Sequence, residues 1–424
     1  MGKDANYHDP VCQFMDVVQR LPSLDNNNPG QLSEDSMTLD PATYLNEVLD
    51  YIQHHSIKRA TVDWAALRSE AVTLAAGART TAETYPAIRL VLDRLGDRHS
   101  FFVPPEEMRL RREGAMKSSG LVAVYPEGII VHVLPGSPAE QAGVREGDIM
   151  ELINDELTAS VGREGLSSAL QAPTVRLRLK RLGQEQPLTM TLHAAAFPLR
   201  ANPVGRHLAP GIGYLELPAM IGTAEQVRDY AATAQQVICQ LDQAGTHGWV
   251  VDLRRNTGGN MGPMLAGAGP LLGEGHIGAF VSTSENTPWI YHAGQLLLGQ
   301  YVLAQIDQPY DLQRPGPPVA ILISRLTASS GELTLLAFRA RPQTRSFGEP
   351  TAGVPTANGA EELRDGAMVC LTIALGADRT GQSYDGPIPP DQPIPSNWMR
   401  FGSQDDPVLQ AAVGWLRQQE SAAT

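Results

Sequence analysis

Ile321-Leu322-Ile323-Ser324-Arg325-Leu326-Thr327-Ala328-Ser329-Ser330-Gly331-Glu332 runs directly into Leu333-Thr334-Leu335-Leu336-Ala337-Phe338. An apolar run ends in small polar residues and a segment of helical periodicity follows, which predicts a strand, a tight turn and a helix. A hydroxyl in such a turn sits at a helix N-terminus, where unpaired backbone N–H groups and the macrodipole favour developing negative charge. Ser329 and Ser330 are the hydroxyls in question. The plainer reading is that one of them caps the helix, with Glu332 as its capping-box partner.

Upstream, Gly248-Trp249-Val250-Val251-Asp252-Leu253 reads as a buried strand. It leads into Arg254-Arg255-Asn256-Thr257-Gly258-Gly259-Asn260, a glycine turn at the head of a helix starting near Met261. Adjacent glycines let a backbone approach a ligand and leave N–H groups unpaired. The turn itself carries neither GxxxxGK[ST] nor GxGxxG, so a nucleotide cradle there has little support. Gly211 to Leu217 reads as a further strand and residues 223–244 as an amphipathic helix. Residues 275–312 read as strands and loops, 367–375 as strand, and Pro407 to Gln418 as a closing helix. The region 198–424 is therefore expected to be an α/β domain.

Before it, residues 116–197 alternate short β-like runs with turns, and 37–115 carry helical spacing in three faces, such as Tyr44, Val48 and Ile52. Residues 1–36 read as a loose polar arm. The fold class expected is α/β within an α+β multidomain chain. Between the helical part and the next apolar segment lies Leu95-Gly96-Asp97-Arg98-His99-Ser100-Phe101-Phe102, where Gly96 stops a helix and a short turn presents His99. A loop histidine is a base, a structural hydrogen-bonding group or simply solvated.

Composition narrows the classes. The chain has 424 residues, 42% hydrophobic and 19% charged, with net charge −13, so it is globular and carries no basic patch suited to nucleic acid or an anionic membrane. Cys12, Cys239 and Cys370 are far apart with no CxxC spacing, which indicates neither a disulfide framework nor a zinc site; no cofactor is expected. No apolar run reaches about 18 residues, so no integral membrane segment is expected. The first residues lack a signal core, which favours a cytoplasmic location, or export if a leader has been removed.

Four stretches, in order, resemble one family: "LGDRHSFF", a segment containing "SPAEQAGV" and "GDIMELIN", "VVDLRRNTGG", and "LTASSGE…GEPTAG…IPPD". The chain resembles the C-terminal processing (tail-specific) and tricorn-like serine peptidases, family S41, and the second stretch resembles a PDZ domain. The resemblance implies an N-terminal helical bundle, a PDZ domain over 116–197 and a ClpP/crotonase-like catalytic core over 198–424. It implies Ser329 as nucleophile, an oxyanion hole from Ser330 and the Gly258-Gly259 turn, and a groove at Gly120, Leu121, Val122 and Ala123 for a peptide C-terminus.

One departure matters. In the Ser/Lys branch the base lies 25 residues after the serine, and position 354 here is Val354. The chain's lysines are Lys3, Lys58, Lys117 and Lys180, so 181–424 contains none. The tricorn-like branch uses histidine, which His99-Ser100 matches, and an acid that "SYDGPIPPD" would place at Asp385. A neutral imidazole can take a serine proton, and a carboxylate behind it would fix its tautomer. Glu349, Glu332 and Asp391 compete for that second role, and Ser100 could assist. His207, His247, His276 and His292 match no motif. The expected function is a serine endopeptidase acting on peptide or unfolded protein. A serine esterase, or a family member that binds without turnover, are the alternatives.

Overall fold

In the computed structural model, which describes residues 39–199 and 202–423, two sheets sandwich the helices that carry the chemistry. The arm read over residues 1–36 lies outside the described residues. The first sheet runs in the order 204–209, 212–216, 248–252, 319–323, 344–348, 392–393. All its pairings are parallel except the first. Strands Gly248–Asp252 and Val319–Ile323 are buried at every position, as a parallel strand covered on both faces must be. One face packs on helix Pro407–Ala423 through Val250, Leu322, Phe347, Val408 and Leu416. The other packs on helices Ala224–Gln243, Met261–Gly267 and Ser330–Phe338.

Beyond those helices lies the second sheet, built largely from Gly275–Val281, Asn286–His292, Gln295–Leu298, Tyr301–Gln305, Thr356–Glu362 and Met368–Ala377. Residues 275–305 form an antiparallel meander. The short strand Phe101–Val103 pairs antiparallel with Cys370, Val369 and Met368 and so joins the sheet. It draws the N-terminal helices Pro41–His55, Trp64–Leu74 and Tyr85–Arg94 onto it, with Leu49, Ile52, Ile88 and Val91 packed against Val369 and Leu371. Asp40 and Asp63 cap the first two of these by accepting the N–H of Thr43 and Ala66.

Residues 121–193 build a separate sheet in the order 121–124, 129–133, 149–153, 174–180, 188–193, with its own core of Ile130, Met150, Leu166, Val175, Leu177 and Leu192. Strand Thr174–Lys180 alternates exposed and buried residues throughout, one face to this core and one to solvent. The unit touches the main sheet's edge where Val124 and Val131 pack on Trp398. Arg255 ties it further, donating to Glu216 at 2.7 Å, to Glu146 at 3.1 Å and to the Val131 carbonyl at 3.1 Å. Among the described residues no helix is long and apolar enough to cross a membrane.

Candidate active site

Strand Val319–Ile323 delivers the serine turn to the carboxyl edge of the parallel sheet, where open α/β folds place their ligands. Hydroxyls fasten the turn to its neighbour strand. Ser324 Oγ donates to the Arg254 carbonyl at 2.6 Å, and Thr327 Oγ1 to that of Leu253 at 2.8 Å. Ser329 then takes φ 52° and ψ −121° at the N-cap of helix Ser330–Phe338. A non-glycine residue held there costs on the order of 1–3 kcal/mol and persists only where its surroundings over-determine it.

Glu332 is what holds it. Fully buried, its carboxylate accepts the Ser329 N–H at 2.9 Å, the Gly353 N–H at 2.9 Å, the Val354 N–H at 2.8 Å and the Thr351 hydroxyl. Burial pushes its pKa up, and the four donors pull the other way. The side chain read as a capping-box partner therefore also clamps loop 351–354 against the serine turn.

The glycine turn closes the other side. Gly258 and Gly259 have φ of 105° and 112°, and a Cβ on Gly258 would stand 2.7 Å from Ser329 Cβ. Only glycine fits so close to that side chain. Asn256, fully buried, donates to the Leu217 carbonyl at 2.9 Å while its own carbonyl accepts the Ala328 N–H at 3.0 Å. Its side-chain oxygen accepts the Gly258 N–H at 2.9 Å. That bond corrects one expectation: the Gly258 amide is engaged, not free for an oxyanion. Among the described residues, the amides of Gly259 and Ser330 carry no internal acceptor, and Ser330 Oγ donates to the Gly259 carbonyl at 2.5 Å, locking the two turns together.

His99 arrives from the opposite sheet. After helix Tyr85–Arg94, the Asp97 carboxylate accepts the N–H of His99 at 3.0 Å, the N–H of Ser100 at 2.8 Å and the Ser100 hydroxyl at 2.6 Å. Asn358 donates to the His99 carbonyl at 2.8 Å, and His99 Nδ1 lies 2.5 Å from Thr356 Oγ1. Arg98 donates to the Gly353 carbonyl at 3.0 Å. His99 and Ser329 thus meet the same loop, 351–356, from two sides, one through Thr356 and the other through Glu332. Among the described residues no hydrogen bond joins the two side chains.

Burial lowers the His99 pKa to about 4, with the nearby Asp97 charge pulling weakly upward. The ring is neutral near pH 7. In the unfolded chain it binds its proton at an ordinary 6.5, so stability is fully present above that value and is lost as pH falls towards 4. The gap is worth on the order of 3 kcal/mol. Denaturant titrations at pH 7 and 4.5 should show this loss, and His99→Gln should lose measurably less; equal losses in both proteins would refute the assignment.

Asp385 is not the acid behind the ring. It stands 61% exposed and pairs with Lys58 at 3.6 Å, a lysine supplied by the helical part. Asp391 is also taken, accepting the N–H and hydroxyl of Ser346. Ser100 is held between Asp97 and the Thr372 N–H, which is a positioning task. His292 pairs with Glu274 away from this cleft. Gly120 precedes strand Leu121–Val124, the terminal strand of its sheet. Among the described residues no group of three or more His, Cys, Asp or Glu could hold a metal. Sequence reading passed over Asp97, Asn256 and Thr356. The first two carried a local signal, a short polar side chain two residues before the amide it serves.

Residues 211–394 match the sequence profile of Peptidase family S41. The chain is 26% identical over 358 residues to carboxyl-terminal-processing peptidase 2 of Arabidopsis thaliana, covering 77% of this chain and 64% of that one. It is 31% identical over 207 residues to the nisin-resistance protein of Lactococcus lactis subsp. lactis, covering 48% and 60% respectively. It thus spans less than two thirds of either relative. Among solved structures, a photosystem II D1 C-terminal processing protease shares the fold, with TM-score 0.56, 22% identity, and coverage of 84% of this chain and 93% of that one. The matched stretch runs from the first parallel strand of the main sheet to the last, taking in the serine turn, Glu332 and the glycine turn but not His99, and in that core the chain is similar to peptidase family S41.

Proposed function

We propose that the protein is a serine-type peptidase that cuts peptide or unfolded protein substrates through an acyl-enzyme on Ser329. The observation that carries this reading is the serine turn itself: Ser329 strained at a helix N-cap, with a free Ser330 amide beside it and a glycine backbone packed on its Cβ. His99 Nε2 takes the Oγ proton as the oxygen attacks the scissile carbonyl carbon. The Ser330 and Gly259 amides receive the oxyanion, and the same proton passes to the leaving amine as the C–N bond breaks. The absence of a Ser329–His99 hydrogen bond calls for a modest closure between the two sheets when substrate enters.

Residues 116–197 supply the substrate groove in this reading, as a PDZ domain. Leu121–Val124 is an edge strand flanked by helix Gly162–Gln171, whose Leu166 and Leu170 share a cluster with Leu121. A peptide C-terminus would add beside that edge, its carboxylate near the amides of 120–123. That same missing hydrogen bond favours a second reading, a protein that binds peptides without cutting them.

A fluorophosphonate probe decides between them. The wild type should label. Ser329→Ala should abolish labelling, and His99→Ala should slow it by roughly 10²–10⁴-fold, the range of a general base. Labelling that persists in Ser329→Ala would remove the nucleophile, and an unlabelled wild type would favour binding without turnover.

A further inference from the structure

Neither carboxylate close to His99 in sequence or motif touches its ring. Asp97 spends both oxygens on the N–H groups of His99 and Ser100 and on the Ser100 hydroxyl. Asp385 faces Lys58. The group against Nδ1 is the hydroxyl of Thr356, only 5% exposed, at the start of strand Thr356–Glu362. The backbone N–H of Thr356 closes a tight turn onto the Val354 carbonyl at 2.8 Å, and Val354 N–H binds Glu332. The hydroxyl is therefore placed by the same clamp that places Ser329.

A neutral imidazole carries one proton, and the partner on Nδ1 decides where. If the hydroxyl donates to Nδ1, the ring proton sits on Nε2 and the ring cannot accept from Ser329. If Nδ1–H donates to the hydroxyl oxygen, Nε2 is the free base. We propose that Thr356 is the positioning residue of this site, accepting from His99 Nδ1–H so that the catalytic unit is serine, histidine and an uncharged hydroxyl, with no carboxylate behind the ring. This rests on the peptidase reading for its purpose, though not for its geometry. When Oγ bonds to the acyl carbon, its proton moves to Nε2, and the imidazolium keeps its Nδ1–H on Thr356. The positive charge then meets a dipole where a charged acid would stand. The other charges near it are Asp97 and Arg98 on its own turn, with Glu332 beneath the Gly353 and Val354 amides of the facing loop.

The test reads the tautomer and the rate separately, on the full chain with ¹⁵N-labelled histidine. At pH 7 the His99 ring of the wild type should show a protonated Nδ1 and an unprotonated Nε2 by NMR. An Nε2–H tautomer would overturn the proposal whether or not the protein labels. Conversely, an Nδ1–H ring in a protein that takes no probe would sink the peptidase reading and leave this one standing. For the rate of fluorophosphonate labelling, Thr356→Val should lose roughly 10- to 100-fold, short of the ~10⁴ that follows loss of a charged orienting acid. Thr356→Ser should retain most of the rate. Thr356→Asp should move the acid limb of the pH–rate profile upward from about 4. Asp385→Asn should leave both rate and profile unchanged. A Thr356→Val protein with the wild-type rate and tautomer would overturn the assignment.

Discussion

Glu332→Ala should cost about 3 kcal/mol or more of stability, since it leaves several buried donors without an acceptor. The residue is fully buried, and its loss leaves three backbone N–H groups and the Thr351 hydroxyl facing a void with no acceptor. Each orphaned donor costs on the order of 1–3 kcal/mol, offset where the void admits water. Function should fall with it, because the same carboxylate fixes Ser329 by its N–H and loop 351–354 by two more. Probe labelling at Ser329 should drop by about two orders of magnitude, the scale of losing positioned catalysis. Glu332→Gln, which keeps the shape but turns an NH₂ towards donors, should fold and still label slowly. A Glu332→Ala protein with unchanged denaturation midpoint and labelling rate would contradict both halves.

Arg254→Met should be comparably damaging, by about 3–5 kcal/mol, and for a reason that has nothing to do with catalysis. Arg254 is 1% exposed and sits between Asp252 and Asp406, each at 2.7 Å, with its guanidinium over the Phe401 ring. Burial works against its charge, and the two carboxylates more than offset that, so it stays protonated. Asp406 also accepts the N–H of Val408 and so caps the closing helix, while Asp252 ends the strand that feeds the glycine turn. A methionine would leave two carboxylates buried without a cation. Adding Asp252→Asn and Asp406→Asn should restore a substantial part of the loss, since the charge is what makes the hole expensive. If Arg254→Met unfolds at the wild-type denaturant concentration, the triad is not holding the helix to the sheet.

The parts of the site that sequence reading reached are local. The strand, turn and helix around Ser329 were legible because they follow one another within a dozen residues, and the turn at His99 because a helix stop and an apolar strand bracket it. The absence of lysine after position 180 means that the residues from there on supply no lysine base. What stayed hidden depends on chain segments meeting from afar. Thr356 lies 257 positions from His99, and nothing in its neighbours singles it out until strand Thr356–Glu362 is laid beside Met368–Ala377. Asp385 was placed by a motif one residue short, and the loop that carries it turns outward to Lys58 instead. The Gly258 amide was a local miss, since an asparagine two residues ahead commonly takes that N–H. The meander over residues 275–305 read as strands with loops because its turns are short and its strands only half buried.

Arg255 couples the middle unit to the glycine turn. It stands one residue before Asn256, which pins the glycine turn, and its guanidinium grips both Glu216 in the main sheet and Glu146 in the middle unit. A swing of the middle unit by even the length of one hydrogen bond must either let go of that side chain or drag its backbone. Mechanically, the molecule has a lever whose short arm ends at the glycine turn beside Ser329 and whose long arm is the whole middle unit. Force applied to the far sheet, by a stretched polypeptide for instance, would reach the glycine turn through Arg255, and the serine turn through the Arg325–Glu127 pair.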